Sequence, residues 1–304
     1  MTATISGGAL RLTDWGVIRA SGDDARSFLQ GQLTQDVLEL DAGTARLAGY
    51  CTAKGRLLAS FVVWQRSPTE LLLACSADLL APTLKRLSMF VLRAKCSLSD
   101  ASAELPLHGL AGATALEALG SDAPPAPWTR RVHGEADIVR LPDVAGLPRF
   151  LWAGNGAPTL APMNDEAWRW LEVHSGVPRI VAATAEQFVP QMVNLELVGG
   201  VSFQKGCYPG QEVVARSQYR GTLKRRAYLF DSDGAAMPGQ ELFAESDPGQ
   251  PAGVVASAAR GPDGRYALLA ETKIALAGEP LHLGSLDGPR LRPAALPYAL
   301  PAEA

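Results

Sequence analysis

Three apolar segments separated only by short turns set the strongest limit on the fold of this chain. Residues 45–53 and 56–64 flank Lys54-Gly55, a candidate two-residue turn, and residues 70–76 follow closely. The first segment is mixed and the second is nearly continuous in apolar residues, which is typical of a buried sheet. The sequence therefore predicts a β-hairpin that is followed by a further strand.

Helical patterns lie on both sides of this hairpin. Two helical faces are indicated by apolar spacing, one formed by Ala25, Phe28, Leu29 and Leu33 and the other by Leu80, Leu84, Leu87 and Val91. Residues 17–20 and 92–99 predict flanking strands. The resulting order, β-α-β-β-β-α-β, favours an α+β unit of ferredoxin-like type over a doubly wound parallel fold. No G-x-G-x-x-G or G-x-x-x-x-G-K-[ST] motif supports a nucleotide-binding loop.

The remaining pattern indicates a second α+β unit and a β-rich C-terminal part. Strands are predicted at residues 105–110, 136–141 and 149–153, with a short helix near 113–119. A further helix is indicated by a cap, an apolar face and a stop signal: Asn164 or Asp165, then Trp168, Leu171 and Val173, then Gly176 with Pro178 beyond. After residue 221, short strand candidates without helices predict a small β-barrel: 225–230, 241–244, 253–259, 266–270 and 280–283. These patterns divide the chain into units at residues 1–100, 101–222 and 223–304.

Composition limits the class of protein. The chain has 304 residues, 47% of them hydrophobic, which suffices for a sizeable core in two or three domains. The formal charge is only −3, but residues 201–230 hold six basic residues against one acidic residue, a local charge of +5 that leaves −8 elsewhere. The four cysteines form no C-x-x-C pair, and neither a signal peptide nor a membrane-spanning run is present, so we expect a reduced, cytoplasmic protein.

The segment from Lys205 to Glu212, KGCYPGQE, carries the densest group of reactive side chains in the chain. Its two glycines and its proline predict a loop that leads into a helix. Cys207 is the first catalytic candidate, because the neighbouring Lys205 and a helix N-terminus both favour a thiolate. The other cysteines, Cys51, Cys75 and Cys96, are interpreted as inert buried thiols, and all four histidines are remote in sequence from Cys207.

Other candidates each have a structural alternative. Glu212 and Arg216 are four residues apart and could form an i,i+4 ion pair on a solvated helix face. The run Lys224-Arg225-Arg226 is typical of an exposed strand edge, or else attracts an anionic group. Either Trp168 or Trp170 could stack on a planar ligand, since both cannot face the core. Glu172 could accept two N–H groups from an amino-pyrimidine edge.

The loop resembles the K-G-C-Y-x-G-Q-E signature of the YgfZ-type folate-binding proteins, which are related to the glycine-cleavage T-protein, an aminomethyltransferase. Further blocks with the same resemblance are residues 28–37 (FLQGQLTQDV), 188–191 (FVPQ), 194–196 (NLE), 220–221 (RG) and 224–226 (KRR). The resemblance implies a three-domain ring around a cavity for tetrahydrofolate, in which the first domain is discontinuous with residues 164–222. It also implies a role in the assembly or repair of iron-sulfur clusters in client enzymes, including tRNA-modifying ones.

The same resemblance implies roles for individual residues. Cys207 is expected to be the functional thiol, with Lys205 beside it, and Glu172 falls near the pterin-binding acid of T-proteins. The remaining expected folate contacts are Trp168, Tyr208, Gln211, Glu212, Arg216 and Arg225. The chain shows no clear counterpart of the T-protein's catalytic aspartate. A tetrahydrofolate-dependent aminomethyl- or methyltransferase and an RNA-binding regulator of tRNA modification remain alternatives, although neither direct nucleic-acid binding nor a membrane partner is expected.

Overall fold

The computed structural model describes residues 5–219 and 223–301. The described residues form sixteen strands: β1 Gly8–Arg11, β2 Trp15–Ser21, β3 Ala45–Cys51, β4 Leu57–Ser67, β5 Glu70–Ser76, β6 Ser97–Asp100, β7 Leu107–Ala111, β8 Arg130–His133, β9 Ala136–Val144, β10 Leu147–Ala153, β11 Arg225–Ser232, β12 Glu241–Ala244, β13 Gly253–Arg260, β14 Tyr266–Lys273, β15 Leu281–Leu283 and β16 Arg292–Ala294. They also form five α-helices: α1 Ala25–Gln30, α2 Ala77–Ser88, α3 Ala113–Leu119, α4 Asp165–His174 and α5 Gln211–Tyr219. The protein is therefore mostly β-sheet, with short helices between the sheets.

The first sheet has the strand order β3-β4-β5-β2-β6, and all its pairings are antiparallel. The predicted hairpin is confirmed, but its turn is longer than the two residues expected: β3 ends at Cys51, β4 begins at Leu57, and Gly55 between them has φ 73°. Alternate residues of β2 pack into two different cores: Ile18 packs with α1 and α2, whereas Val17 packs towards the second sheet. Burial on both faces explains the nearly continuous apolar sequence of β4. The predicted strand at 92–99 is shorter than expected, because only β6 pairs with β2.

The second sheet has the order β1-β7-β10-β9-β8, with α3 against its outer face. Strands β1 and β8 lie outside the predicted segments. Strand β1 pairs with β7, so residues near the N-terminus join a sheet that is otherwise built from residues 107–153. Sheet membership thus crosses the boundary predicted at residue 100. The ferredoxin-like description of the units and their exact boundaries remain predictions.

The C-terminal sheet has the order β15-β12-β13-β14-β11-β16. One face encloses its own core, which includes Phe230, Leu242, Leu268 and Leu281. The other face packs against α4 through Val173. No pairing between β15 and β16 occurs among the described residues, so the predicted barrel is a half-barrel.

Helix α4 connects these three sheets and follows the predicted start and stop signals. The side chain of Asn164 accepts a hydrogen bond from the backbone N–H of Ala167 at 2.7 Å, which caps the first turn. Gly176, with φ 64°, follows the last turn in the left-handed conformation that glycine adopts at little cost. Helix α4 thereby lies with one face on the second sheet and another on the half-barrel.

Candidate functional site

A cavity of about 370 Å³ lies where the first sheet, helix α4 and the half-barrel meet. Its lining includes the turn before β2, the start of α2, one face of α4, the segment after α4 and strand β13. Charged side chains are concentrated in this lining: Asp14, Asp78, Arg169, Glu172 and Arg179. The volume falls within the range of about 300–1,000 Å³ that is usual for small-molecule sites.

Glu172 is held in a defined orientation at the wall of this cavity. Its Oε1 accepts a hydrogen bond from Trp15 Nε1 at 3.0 Å, and its Oε2 lies 3.3 Å from Arg179. Arg179 also donates to Asp14 at 2.7 Å. Although burial alone lowers the pKa of Arg179, the carboxylates of Glu172 and Asp14 raise it above its ordinary value. A carboxylate has about four acceptor positions, so Glu172 can still accept N–H groups from a ligand.

A second, smaller cavity of about 50 Å³ lies between the first and second sheets. It shares Glu172, Val177 and Arg179 with the larger cavity. Two indole rings contribute to its lining, those of Trp15 and Trp128. Glu172 therefore stands at the junction of two adjoining cavities.

Arg149, on β10, also lines the smaller cavity and is only 2% exposed. Its Nη1 donates to the carbonyl oxygen of Leu171 at 3.1 Å, and its guanidinium carbon lies 4.9 Å from the centre of the Trp168 ring. Burial lowers the pKa of Arg149 to about 10, against the opposing effect of Glu172. Neither Arg149 nor the cavity tryptophans, Trp15 and Trp128, were named as site residues from the sequence. For Arg149 a signal was present, because it is a charged residue at the start of an otherwise apolar strand.

Trp168 does not occupy the position expected of a stacking surface. It is 1% exposed, and its ring packs against the backbone at Gly109, where even an added Cβ would approach to 2.6 Å. Its ring face is covered by Arg149, and within the described part of the chain it lines neither cavity. The ring of Trp170 is stacked on His174 at 3.8 Å. Trp15 and Trp128 are instead the indoles that a ligand could contact.

Lys205 points into the protein and is 7% exposed. Its Nζ donates to the backbone carbonyls of Gln30 and Leu33, the latter at 2.6 Å, and lies 5.0 Å from the centre of the Tyr208 ring. Burial lowers the pKa of Lys205 to about 8, although Asp36 and the Cys207 thiol raise it. Lys205 thus joins two of the sequence blocks, residues 28–37 and 205–212, into one structural unit.

The other residues of the loop hold it in place. Tyr208 is 7% exposed, and burial raises its pKa well above the usual range. Gly210 has φ 82° and lies against the hairpin turn, where a Cβ would meet the carbonyl oxygen of Thr52 at 2.4 Å. The Nε2 of Gln211 is 3.5 Å from the carbonyl oxygen of Lys205. Helix α5 begins at Gln211, as the loop-to-helix prediction requires.

Cys207 is exposed at this loop, in contrast to Cys51 and Cys75. Burial raises the pKa of each of those two thiols to about 12, which agrees with their interpretation as inert. Cys96 is partly buried, which also raises its pKa. Within residues 5–219 and 223–301, Cys207 lines neither the 370 Å³ nor the 50 Å³ cavity, and no cluster of three potential metal ligands occurs.

Three arginines of the basic segment form ion pairs within the described residues. Arg225 binds Glu271 at 2.7 Å, Arg226 binds Glu196, and Arg216 binds Glu212 at 3.2 Å on the exposed face of α5. At residues 225–226, β11 pairs with β14 alone, because its pairing with β16 begins at Leu229; this agrees with the predicted strand edge, although both arginine side chains are partly buried.

Arg216, Lys224 and Arg225 do line a common cavity of about 250 Å³ beside α5. Residues 220–221, the predicted continuation of the signature, lie outside the described residues. Glu172 and the signature loop are therefore separate sites, and the described lining of the 250 Å³ cavity includes neither of them.

The fold is that of an aminomethyltransferase. The structure is similar to that of aminomethyltransferase T of the glycine cleavage system from Bartonella henselae, with a TM-score of 0.67, 18% sequence identity, and coverage of 97% of this chain and 87% of that chain. At this identity the likeness establishes the fold alone. No family model matches the chain.

Curated relatives then identify the family. The tRNA-modifying protein YgfZ from Edwardsiella ictaluri is 38% identical in an alignment of 244 residues that covers 75% of this chain and 72% of that protein. The proteins of the same description from Serratia proteamaculans and Klebsiella pneumoniae are 32% and 30% identical, and cover 84% and 96% of this chain. The chain belongs to the YgfZ family, which confirms the resemblance in the sequence. Among the described residues, no helix is both long and apolar enough to span a membrane.

Proposed function

We propose that this protein binds a tetrahydrofolate at Glu172 and acts as an accessory factor in the assembly or repair of iron-sulfur clusters in client enzymes, including tRNA-modifying ones. The observation that carries the proposal is the 370 Å³ cavity with an oriented carboxylate in its wall. The description of the relatives as tRNA-modifying proteins supports the link to tRNA modification. The three-domain ring is part of the same proposal, since residues near all three sheets approach Glu172.

Glu172 suits the amino-pyrimidine edge of a pterin. Two parallel N–H groups on that edge match the two oxygens of a carboxylate, and such charge-assisted pairs are about twice as strong as neutral ones. The hydrogen bond from Trp15 and the ion pair with Arg179 prevent rotation of Glu172 away from the cavity. The rest of the folate would occupy the larger cavity, whose lining includes both Arg169 and Arg179.

Cys207 supplies the second part of the proposal. Because it is exposed on an ordered loop and does not line the folate cavity, its thiol can meet a group that a client protein carries, such as a cluster, a sulfur species or a one-carbon adduct. The thiolate is the reactive form of cysteine in each case. Lys205 and Tyr208 hold the loop, whereas Arg216 and Arg225 line the separate 250 Å³ cavity beside α5, where an anionic group of a client protein could bind.

Titration of tetrahydrofolate against the tryptophan fluorescence tests the folate site, because Trp15 donates directly to Glu172. We expect saturable binding, and a dissociation constant about 100-fold higher in Glu172→Gln, which loses roughly 3 kcal/mol of charged hydrogen bonding. Glu212→Gln is the matched control, since Glu212 is 86% exposed and pairs only with Arg216 among its described contacts. Saturation with equal affinity in Glu172→Gln and wild type refutes the assignment.

Replacement of Cys207 by alanine in cells tests the thiol. We expect the loss of a cluster-dependent tRNA modification, with no change in the folate dissociation constant of the purified variant. Full modification in the alanine variant removes the thiol from the mechanism. Cys96→Ala is the control, because this partly buried cysteine lies outside the signature loop.

A folate-dependent aminomethyl- or methyltransferase is the second candidate, and the shared fold favours it. Asp14 is a carboxylate in the cavity wall, but it is paired with Arg179, and no counterpart of the catalytic aspartate was evident in the sequence. Turnover of an aminomethylated carrier protein with tetrahydrofolate distinguishes this candidate from an accessory factor. RNA binding has less support, because Arg216, Arg225 and Arg226 are ion-paired.

A further inference from the structure

Arg149 is a buried cation for which the described protein supplies no carboxylate partner. No ion pair involves it within residues 5–219 and 223–301, and its Nε has no hydrogen-bond acceptor there. Its one hydrogen bond to a protein group is the bond from Nη1 to the carbonyl oxygen of Leu171. Arg179, by contrast, uses its guanidinium on both Asp14 and Glu172. Arg149 is therefore the arginine at this site with donors still free.

The backbone directs Arg149 towards the cavity. The pairing of β9 with β10 is shifted between Leu147 and Arg149, and such irregularities re-aim side chains next to functional sites. Leu151 and Ala153, which share its face of β10, pack between the two sheets, whereas Phe150 packs on the outer face with α3. A buried charge without a partner destabilises a protein, so the unpaired Arg149 beside Glu172 indicates that a ligand supplies the missing acceptor.

The size of the smaller cavity limits which part of a ligand can reach Arg149. A volume of about 50 Å³ is far below the roughly 150 Å³ of an apolar cavity that binds benzene, so the cavity is too small for a ring. The cavity therefore accepts one exocyclic group from a ring whose body lies in the adjoining 370 Å³ cavity. Facing the donors of Arg149, that group must be a hydrogen-bond acceptor.

We propose that Arg149 donates to an exocyclic oxo group of the ligand whose N–H edge binds Glu172. This inference rests on the proposed folate function and deepens it, because it makes Arg149 a residue that selects a 4-oxo pterin over a 4-amino pteridine. An oxo oxygen accepts a hydrogen bond from the guanidinium, whereas an amino group in the same place points its own N–H groups at the N–H groups of Arg149. Glu172 also favours the 4-oxo ring, because only that ring carries a hydrogen on N3 beside its 2-amino group; the contribution of Arg149 is therefore the part of the preference that is lost when Arg149 is replaced.

The test compares dissociation constants for tetrahydrofolate and tetrahydroaminopterin, which differ in an oxo or an amino group at position 4 and consequently in the hydrogen on N3. We expect wild type to bind the oxo compound at least about tenfold more tightly, the effect of one charged hydrogen bond. In Arg149→Met the preference should shrink at least about tenfold from that of wild type, and Arg149→Lys, which retains a donor, should recover part of it.

Arg140→Met is the matched control, because Arg140 also lies over an aromatic ring, 4.8 Å from the centre of Phe150, but pairs with Asp143 and lines neither cavity. It should keep the preference of wild type. Equal binding of the two compounds by wild type overturns the inference but not the proposed folate site. This outcome is measured on the wild-type protein, so it does not depend on whether a variant folds. A preference as large in Arg149→Met as in wild type also overturns it. Binding of neither compound overturns the folate function itself.

Discussion

Replacement of Lys205 by methionine separates two roles that this lysine could have. As an activator of the Cys207 thiolate it would contribute little to the fold, whereas as an anchor it holds the signature loop on residues 30–33. The structure favours the anchor, since Nζ donates to the carbonyls of Gln30 and Leu33 in a buried position. Methionine has a similar length and no donors, so both carbonyls lose their partner.

The expected loss of stability follows from these contacts. Each buried carbonyl left without a partner costs about 1–3 kcal/mol, and the contact of Nζ with the Tyr208 ring adds about 0.5–2 kcal/mol. Relief from burying an ammonium offsets part of this, as the pKa lowered to about 8 indicates. We therefore expect the free energy of unfolding of Lys205→Met to fall by about 2–3 kcal/mol.

Urea denaturation measures this loss, and hydrogen exchange at residues 30–36 and 203–210 locates it. Lys224→Met is the control, because this exposed lysine of the same basic segment should change the free energy of unfolding by less than about 0.5 kcal/mol. If Lys205→Met unfolds within about 0.5 kcal/mol of wild type and exchange in both segments is unchanged, the anchor role is refuted.

Three further predictions concern the same loop. Because the pKa of Lys205 is lowered to about 8 in the folded protein, the unfolded chain binds more protons between about pH 8 and 10.4. The free energy of unfolding should therefore rise with pH in this range, by up to about 1.4 kcal/mol per pH unit. Urea denaturation at several pH values should show a smaller rise in Lys205→Met. Iodoacetamide should label Cys207 in the native protein while Cys51 reacts only on unfolding, as peptide mass spectrometry can verify; equal labelling contradicts the assigned burial. Gly210→Ala should lower the free energy of unfolding by about 2 kcal/mol or more, because a Cβ would lie 2.4 Å from the carbonyl oxygen of Thr52 at a residue whose φ is 82°. An unchanged melting temperature in calorimetry would contradict this packing.

The elements with strong local patterns were predictable from the sequence. Strand β5, helix α3 and the cap of α4 at Asn164 occur where the apolar spacing and cap residues place them. Strand β1 was missed because a strand of only four residues, of which one is glycine and one alanine, carries little periodicity, and pairing with β7 stabilises it. Its partner lies about 100 residues away, so no local signal could reveal it.

The candidate site shows the same division. Glu172 was identified by its chemistry, and its place in a cavity wall agrees with that choice. Trp168 was chosen by the same local reasoning, but helix packing turned it onto Gly109 in the core. Trp128 and Arg149 face the cavity through the packing of one sheet on another, a contact between residues far apart in the chain.

By itself, the sequence determined the family, the antiparallel hairpin, the loop-to-helix junction at Cys207 and the acidic candidate at Glu172, because each depends on residues that are neighbours in the chain. Only the tertiary structure decided that Lys205 faces inward to the carbonyls of Gln30 and Leu33, that Arg225 is neutralised by Glu271, and that the Cys207 loop and the Glu172 cavity are separate sites. The physical reason is that a charge acquires its role from the groups that surround it after folding, and those groups come from distant parts of the chain.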